Sequence, residues 1–223
     1  MPISRERFAQ GLTADAFIAQ MTRNREQFET NIEAAAALIN DDDRAVFQAR
    51  PVSIAAIAED WCTDVIQFLP PIIALARQIP DLHLRIFLRD QNLDIMDQYL
   101  NQGEYRSIPT FVFYDAQWKE LGHYIERPAQ VTQEMAQETR RFVAEHPELE
   151  GATRSYQNMP DETRKLVSQN SARYRWAHML EWDRIFLDEV RALVVNAAGL
   201  TGDLVERGGR AWHDANPGGS DAL

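Results

Sequence analysis

One cysteine, Cys62, stands in the stretch Trp61-Cys62-Thr63-Asp64, directly after the apolar run from Val52 to Ala58. A lone thiol can still do chemistry. Its thiolate attacks a disulfide and forms a mixed disulfide, and a second thiol must then resolve it. The position three residues on, where a resolving cysteine would stand, is Val65. An external small thiol, glutathione or a relative, is therefore the co-substrate that such a reaction would need. A single cysteine also excludes an internal disulfide and a multi-cysteine zinc site. The five histidines, His83, His123, His146, His178 and His213, show no ligand spacing, and neither a phosphate-binding glycine loop nor a GxSxG stretch is present. No cofactor and no metal are expected.

The elements that would carry Cys62 follow from periodicity. Val52–Ala58 is too short for a buried helix and fits a buried strand. From Cys62 the pattern becomes helical, with Ile66, Leu69, Ile73 and Ala76 on one face. Pro70 and Pro71 fall inside that helix and are expected to interrupt and kink it. Cys62 thus lies where the first strand ends and the helix begins, at the positive end of the helix dipole, which favours a thiolate. Glu59, Asp60 and Asp64 flank it and oppose a thiolate, each by about 1 kcal/mol at a surface dielectric. Asp64 reads first as a residue stabilising the helix N-terminus and second as a catalytic acid, and Trp61 as a ring packed over the helix end.

Downstream, Leu82 to Asp90 alternates as a strand, and Asn92 to Gly103 reads as a short helix capped by Asn92. Thr110 to Ile125 holds two strands joined around Asp115 to Gln117, and a helix follows with Pro128 as its first residue. The Ile108-Pro109-Thr110 segment, entering the third strand, is a plausible place for a cis peptide bond beside Cys62. The order from Val52 to His146 is β-α-β-α-β-β-α, which gives a four-stranded mixed sheet covered on both faces.

On these residues the chain resembles the thioredoxin superfamily. The likeness rests on Trp61-Cys62 at the strand–helix junction, on Pro70 eight residues into the helix, and on Ser107 to Phe111, "SIPTF". It covers roughly residues 45 to 146. More narrowly, it is similar to a bacterial subgroup with one cysteine in a W-C-x-D motif, here "WCTD", with "RDQNLDIMDQYL" and "YRSIPTFVF" as further matches. The resemblance implies a thioredoxin-like α/β fold and a cis Pro109 that helps present a substrate backbone to Cys62. It implies Cys62 as the catalytic residue, with Trp61, Thr63, Asp64, Ile108 and Pro109 forming the binding corner. Two departures stand out. Val65 replaces the resolving cysteine, and Ala56 replaces the buried acid that thioredoxins carry in the preceding strand.

The flanks are helical. Thr13 caps a helix through Phe17, Ile18 and Met21; a second runs through Phe28, Ile32 and Ile39; Asn40 to Asp43 offer caps for a third. The last seventy residues show only helical spacing, with Tyr174, Trp176, Met179, Leu180, Trp182, Phe186 and Val190 as a stripe for core or interface. One helix there would be on the order of 55 Å long at 1.5 Å per residue, so a break near Ser168 to Ser171 is expected, with a stop at Gly199. The expected organisation is an N-terminal helical segment (1–44), the thioredoxin-like domain (45–146), a C-terminal helical extension (147–205) and a mobile tail (206–223).

The 223 residues are 45% hydrophobic and 26% charged, with a formal net charge of −11. That surface disfavours nucleic acid and anionic membranes as partners. No apolar run is long enough to span a bilayer, and the N-terminus has no apolar signal core, so a reducing, cytoplasmic location is expected. The expected partner is a protein or small-molecule disulfide, with a homodimer through the helical flanks as a further expectation. Two functions compete. Monothiol thiol–disulfide exchange through Cys62 is favoured by a small margin; the alternative is a redox-inactive module that binds a protein or peptide.

Overall fold

The computed structural model describes residues 3–196. Its centre is a four-stranded mixed sheet in the order β2-β1-β3-β4, built from β1 (Val52–Ala58), β2 (Leu82–Leu88), β3 (Thr110–Tyr114) and β4 (Glu120–Ile125). β1 pairs parallel with β2 and antiparallel with β3, and β3 pairs antiparallel with β4. Helices cover both faces, so β1 is buried almost throughout and reads as a continuous apolar run. The α/β thioredoxin-like architecture expected from the sequence is the one found.

Four helices precede the sheet: α1 (Arg5–Ala9), α2 (Ala14–Gln20), α3 (Arg25–Ala36) and α4 (Asp41–Ala49). Thr13 caps α2 by accepting from the Ala16 N–H, and Asn40 and Asp43 form a reciprocal capping box on α4. Leu12, between α1 and α2, exchanges backbone hydrogen bonds with Ile86 and so adds a bridge beside β2. The close approach there needs Gly11, since a Cβ would lie 2.8 Å from Arg85 Cβ and from the Phe87 ring. The helix α4 straddles residue 45, and buried side chains from Ile3 to Val194 belong to one continuous core.

The helix that starts at Cys62, α5 (Thr63–Gln78), runs unbroken through Pro70 and Pro71, where an interruption was expected. Pro70 has no N–H for the Ile66 carbonyl. The buried Asn31 side chain of α3 fills that role, donating to Ile66 O at 2.8 Å. A neighbouring helix thus supplies the hydrogen bond that the proline removes.

After β2 comes the one-turn helix α6 (Leu93–Met96). Asn92 precedes it, but its side chain donates to Leu88 O and accepts from Arg7 instead of capping. The helix α7 (Ala129–Glu145) begins one residue later than expected, with Pro128 at the cap.

The last described helix, α8, is a single element from Asp161 to Asn196. The expected break at Ser168 to Ser171 does not occur. Each polar side chain there has a partner that suits a helix: the Ser168 hydroxyl lies 2.5 Å from that of Tyr156, and buried Asn170 donates to Glu138 on α7 at 2.9 Å. The C-terminal half buries Trp182, Phe186, Leu187, Val190, Leu193 and Val194. Phe186 meets Phe68, Phe111 and Tyr124, which fixes α8 across α5 and the sheet. Trp176 and Leu180, placed on the same stripe from the sequence, face outward instead. The Gly199 stop, His213 and the tail lie outside the described residues.

Candidate functional site

Cys62 is the N-cap of α5 and is half-buried. Its carbonyl accepts the first helical hydrogen bond, from Ile66 N–H at 3.0 Å. Its Sγ–H donates to Ile108 O at 3.4 Å, across to the loop that enters β3. The Ile108–Pro109 peptide bond is cis, and both residues are buried. The loop is held on both sides: the Thr110 hydroxyl donates to Ser107 O at 2.8 Å, and Glu126 N–H donates to Pro109 O at 2.7 Å. Cys62, Ile108 and Pro109 are therefore brought together, although they are 46 residues or more apart in sequence.

The electrostatics of the thiol run against a thiolate. Burial pushes the Cys62 thiol up to about 12, and the Asp64 carboxylate adds to the rise. The N–H groups of Val65 and Asp64 at the helix start pull the other way, and Glu126 opposes them from the far side. The sequence names Glu59, Asp60 and Asp64 as the opposing charges. In the fold two of these three carboxylates are occupied elsewhere. Glu59 accepts from Asp90 N–H at 3.0 Å, and Asp60 accepts from Thr22 N–H at 2.6 Å and from Arg23 N–H at 3.2 Å. The carboxylates acting on the sulfur are Asp64 and Glu126, and the Arg127 guanidinium interacts with it in the opposite sense.

Asp64 is buried, 6% exposed, and ionised. Burial alone would raise its pKa, but the Arg127 and Arg175 guanidiniums hold it below the usual carboxylate range. Arg127, just past β4, donates to Asp64 Oδ2 and to the Thr132 hydroxyl. Arg175, on α8, lies 2.8 Å from Asp64 Oδ1 and donates to Gln67 Oε1 at 2.7 Å. Asp64 stands in the first turn of α5, as the sequence suggests, and it also anchors a buried charge cluster.

The remaining residues of the corner are more open. Trp61 is 43% exposed, with the Arg89 guanidinium 4.9 Å from its ring centroid. Thr63 is exposed on the first turn. Ala56 is fully buried between Ile86 and Phe111, and Val65 is fully buried, so neither offers a proton acceptor or a resolving group.

Gln67, Glu126, Arg127, Arg175 and Asp183 escape the sequence reading. A signal exists for one of them: Arg175 occupies the stripe of Trp182 and Phe186, where a charge implies a buried partner.

A family model described as thioredoxin matches residues 11–140. The chain belongs to the thioredoxin family. The match begins between α1 and α2 and ends within α7, so α8, which supplies Arg175, lies outside it. Thioredoxin-family proteins need no cofactor, and among the described residues no three His, Cys, Asp or Glu side chains gather as a metal site. None of the described helices is long and apolar enough to cross a membrane. Two solved structures share the fold of this thioredoxin-family chain. One is an HIV epitope scaffold, 16% identical, covering 86% of this chain and 96% of its own, with a TM-score of 0.56. The other is a protein of unknown function from Pseudomonas aeruginosa, 18% identical, covering 79% and 99%, with a TM-score of 0.52. No curated protein matches the chain.

Proposed function

We propose that this thioredoxin-family protein uses the Trp61–Cys62–Pro109 corner to dock an extended protein segment, with Cys62 resting as a thiol. The observation that carries this reading is the Cys62 Sγ–H donated to Ile108 O beside an ionised Asp64. A thiol pushed up to about 12 rests protonated near pH 7, which leaves little nucleophile. The exposed Trp61 ring offers the apolar surface for a partner. The margin that favours exchange in the sequence therefore shifts towards binding.

Monothiol exchange remains the second reading, favoured by the Asp64 and Val65 N–H groups that act on the sulfur. In that case Cys62 passes its proton to solvent and its thiolate attacks one sulfur of a bound disulfide. The S–S bond breaks, and the other sulfur leaves as a thiolate that takes up a proton. An external small thiol then attacks the mixed disulfide, forms a new disulfide with the bound sulfur and releases Cys62. Reduction of a glutathione mixed disulfide on a test peptide separates the two. We expect the wild-type rate to equal that of Cys62→Ser. A rate about tenfold or more above that variant would move the function to exchange.

The Arg175 contribution also makes the C-terminal helix part of the proposed site instead of a separate extension. Docking is then a property of the whole described chain, with α8 setting the charge behind the corner.

A further inference from the structure

A second buried carboxyl lies behind the Cys62 corner. Asp183, on α8, is fully buried, and neither of its oxygens has a hydrogen-bond partner. Gln67 Nε2, the group that faces it from α5, has none either. The other oxygen-bearing end of the same Gln67 amide accepts from Arg175, and Arg175 pairs with Asp64. Asp183 and the Gln67 amide thus act on each other without a hydrogen bond between them. From Gln67, direct polar contacts run to Arg175 and on to Asp64, and Asp64 acts on the Cys62 sulfur.

Other charged groups on the elements around α8 are engaged elsewhere or face outward. On α4, Asp43 is held by Arg184 and Arg191. On α7, Glu134 accepts from Trp182, and Glu138 from Arg141 and Asn170. On β4, Glu120 meets Tyr99 and His123. On α3, Arg25, Glu26, Glu29 and Glu33 are exposed, and on α5 Arg77 is exposed and paired with Asp15. Gln67 and Arg175 are the groups that act on Asp183.

We infer that Asp183 is a positioning residue for the Cys62 corner: protonated, it leaves Arg175 to Asp64, and ionised, it draws Arg175 away and deepens the suppression of the thiol. Burial favours the protonated form and lifts the Asp183 carboxyl to about 8, against the opposing pull of Gln67 and Arg175. The changeover therefore falls near pH 8. Both effects of ionisation have one sign at Cys62. A negative charge is added behind the helix, and Asp64 loses part of its neutralising partner. The inference rests on the reading that Cys62 is held as a thiol.

The test is the rate of Cys62 alkylation by iodoacetamide in wild type, Asp183→Asn and Arg175→Lys, from pH 6.5 to 9.5. The Asn side chain keeps the shape of the acid and suits the buried site. We expect wild type and Asp183→Asn to react equally at pH 6.5. At pH 9.5 the variant should react about threefold or more faster, since removing a buried negative charge lowers a thiol pKa and one pKa unit is a factor of ten in thiolate. Arg175→Lys should keep an inflection near pH 8, with reduced size. Superimposed profiles for wild type and Asp183→Asn would overturn the inference, and so would a constant ratio at every pH, which marks a merely structural change. Carboxyl-carbon NMR of aspartate-labelled protein adds an independent readout. A signal absent from Asp183→Asn should titrate near pH 8, and titration below pH ~5 would overturn the assignment. An ordinary absolute pKa for Cys62 would instead strike at the resting-thiol reading, which these differences do not measure.

Discussion

Two buried carboxylates in this protein are each held by a pair of arginines, and they do different things. Asp43, 1% exposed, takes Arg184 at 2.7 Å and Arg191 at 2.8 Å, and it caps α4 through Asn40 N–H. Asp64 takes Arg127 and Arg175 at the start of α5. The Asp43 arginines keep about a quarter of their side-chain surface in solvent, 23% and 24%, and both share Asp188. The Asp64 arginines are sealed, at 9% and 6%, and their carboxylate stands next to a sulfur. The same ion arrangement therefore serves as a clamp between α4 and α8 in one place and as a fixed charge against a thiol in the other. Location relative to Cys62 decides which role the pair plays.

The largest expected effects come from neutralising one carboxylate at a time. Asp64→Asn removes the carboxylate beside Cys62 and leaves two buried guanidiniums uncompensated. We expect Cys62 alkylation at pH 7.5 to rise by about tenfold or more, since one pKa unit is a factor of ten in thiolate. Urea unfolding should show a loss of about 3–5 kcal/mol, the usual result of breaking a sealed pair. Asp43→Asn should cost less, about 1–3 kcal/mol, because its arginines reach water. It should leave the alkylation rate unchanged. Equal alkylation changes in both variants would dissolve the distinction between clamp and field.

The pH dependence of stability sharpens the same contrast. Asp43 and Asp64 both sit below the usual carboxylate range: burial opposes this, and their arginines outweigh it. A carboxylate with a depressed folded-state pKa stabilises the fold above its unfolded value, about 3.9, and that contribution is lost as pH falls through the folded value. Acid unfolding should thus begin below pH ~4, and Asp43→Asn should flatten that limb. Asp183 acts with the opposite sign. Its folded value, about 8, exceeds the unfolded one, so it reduces stability progressively as pH rises from ~4 towards 8. Asp183→Asn should be more stable than wild type at pH 8 and closer to it at pH 4, as measured by urea midpoints. The reverse order would contradict the buried, protonated state.

The smallest effect is expected at Trp61. Its ring is largely open, and the contact it makes is the Arg89 stack. Trp61→Ala should change stability by less than about 1 kcal/mol. A larger loss would give Trp61 the packing role that the sequence suggests.

What the sequence discloses is local. The run Val52–Ala58 ends where β1 ends, and the switch to a helical pattern at Cys62 places the thiol at the helix start. Pro109 marks the loop that meets it. Caps such as Thr13 and Asn40 are readable because their partners lie three residues away. The charges behind Cys62 are not readable in that way. Gln67 and Arg175 are separated by 108 residues, and Asp64 and Arg127 by 63, so no spacing rule connects them. The same reason hides why α5 tolerates Pro70, since the compensating donor, Asn31, comes from another helix. The missed continuity of α8 has a related cause. Ser168 and Asn170 look like a break in isolation, and only Tyr156 and Glu138 show that they suit a helix. Glu59 and Asp60 err the other way, near in sequence but turned to other partners.

The central claim is that Cys62 rests as a thiol, and the pH dependence of its alkylation tests it most directly. With the thiol at about 12, the rate should climb steadily to about pH 10 without levelling, approaching tenfold per unit apart from the Asp183 inflection near pH 8. A plateau that begins near pH ~8 to 9, the range of an ordinary cysteine, would contradict the account and restore Cys62 as a working nucleophile.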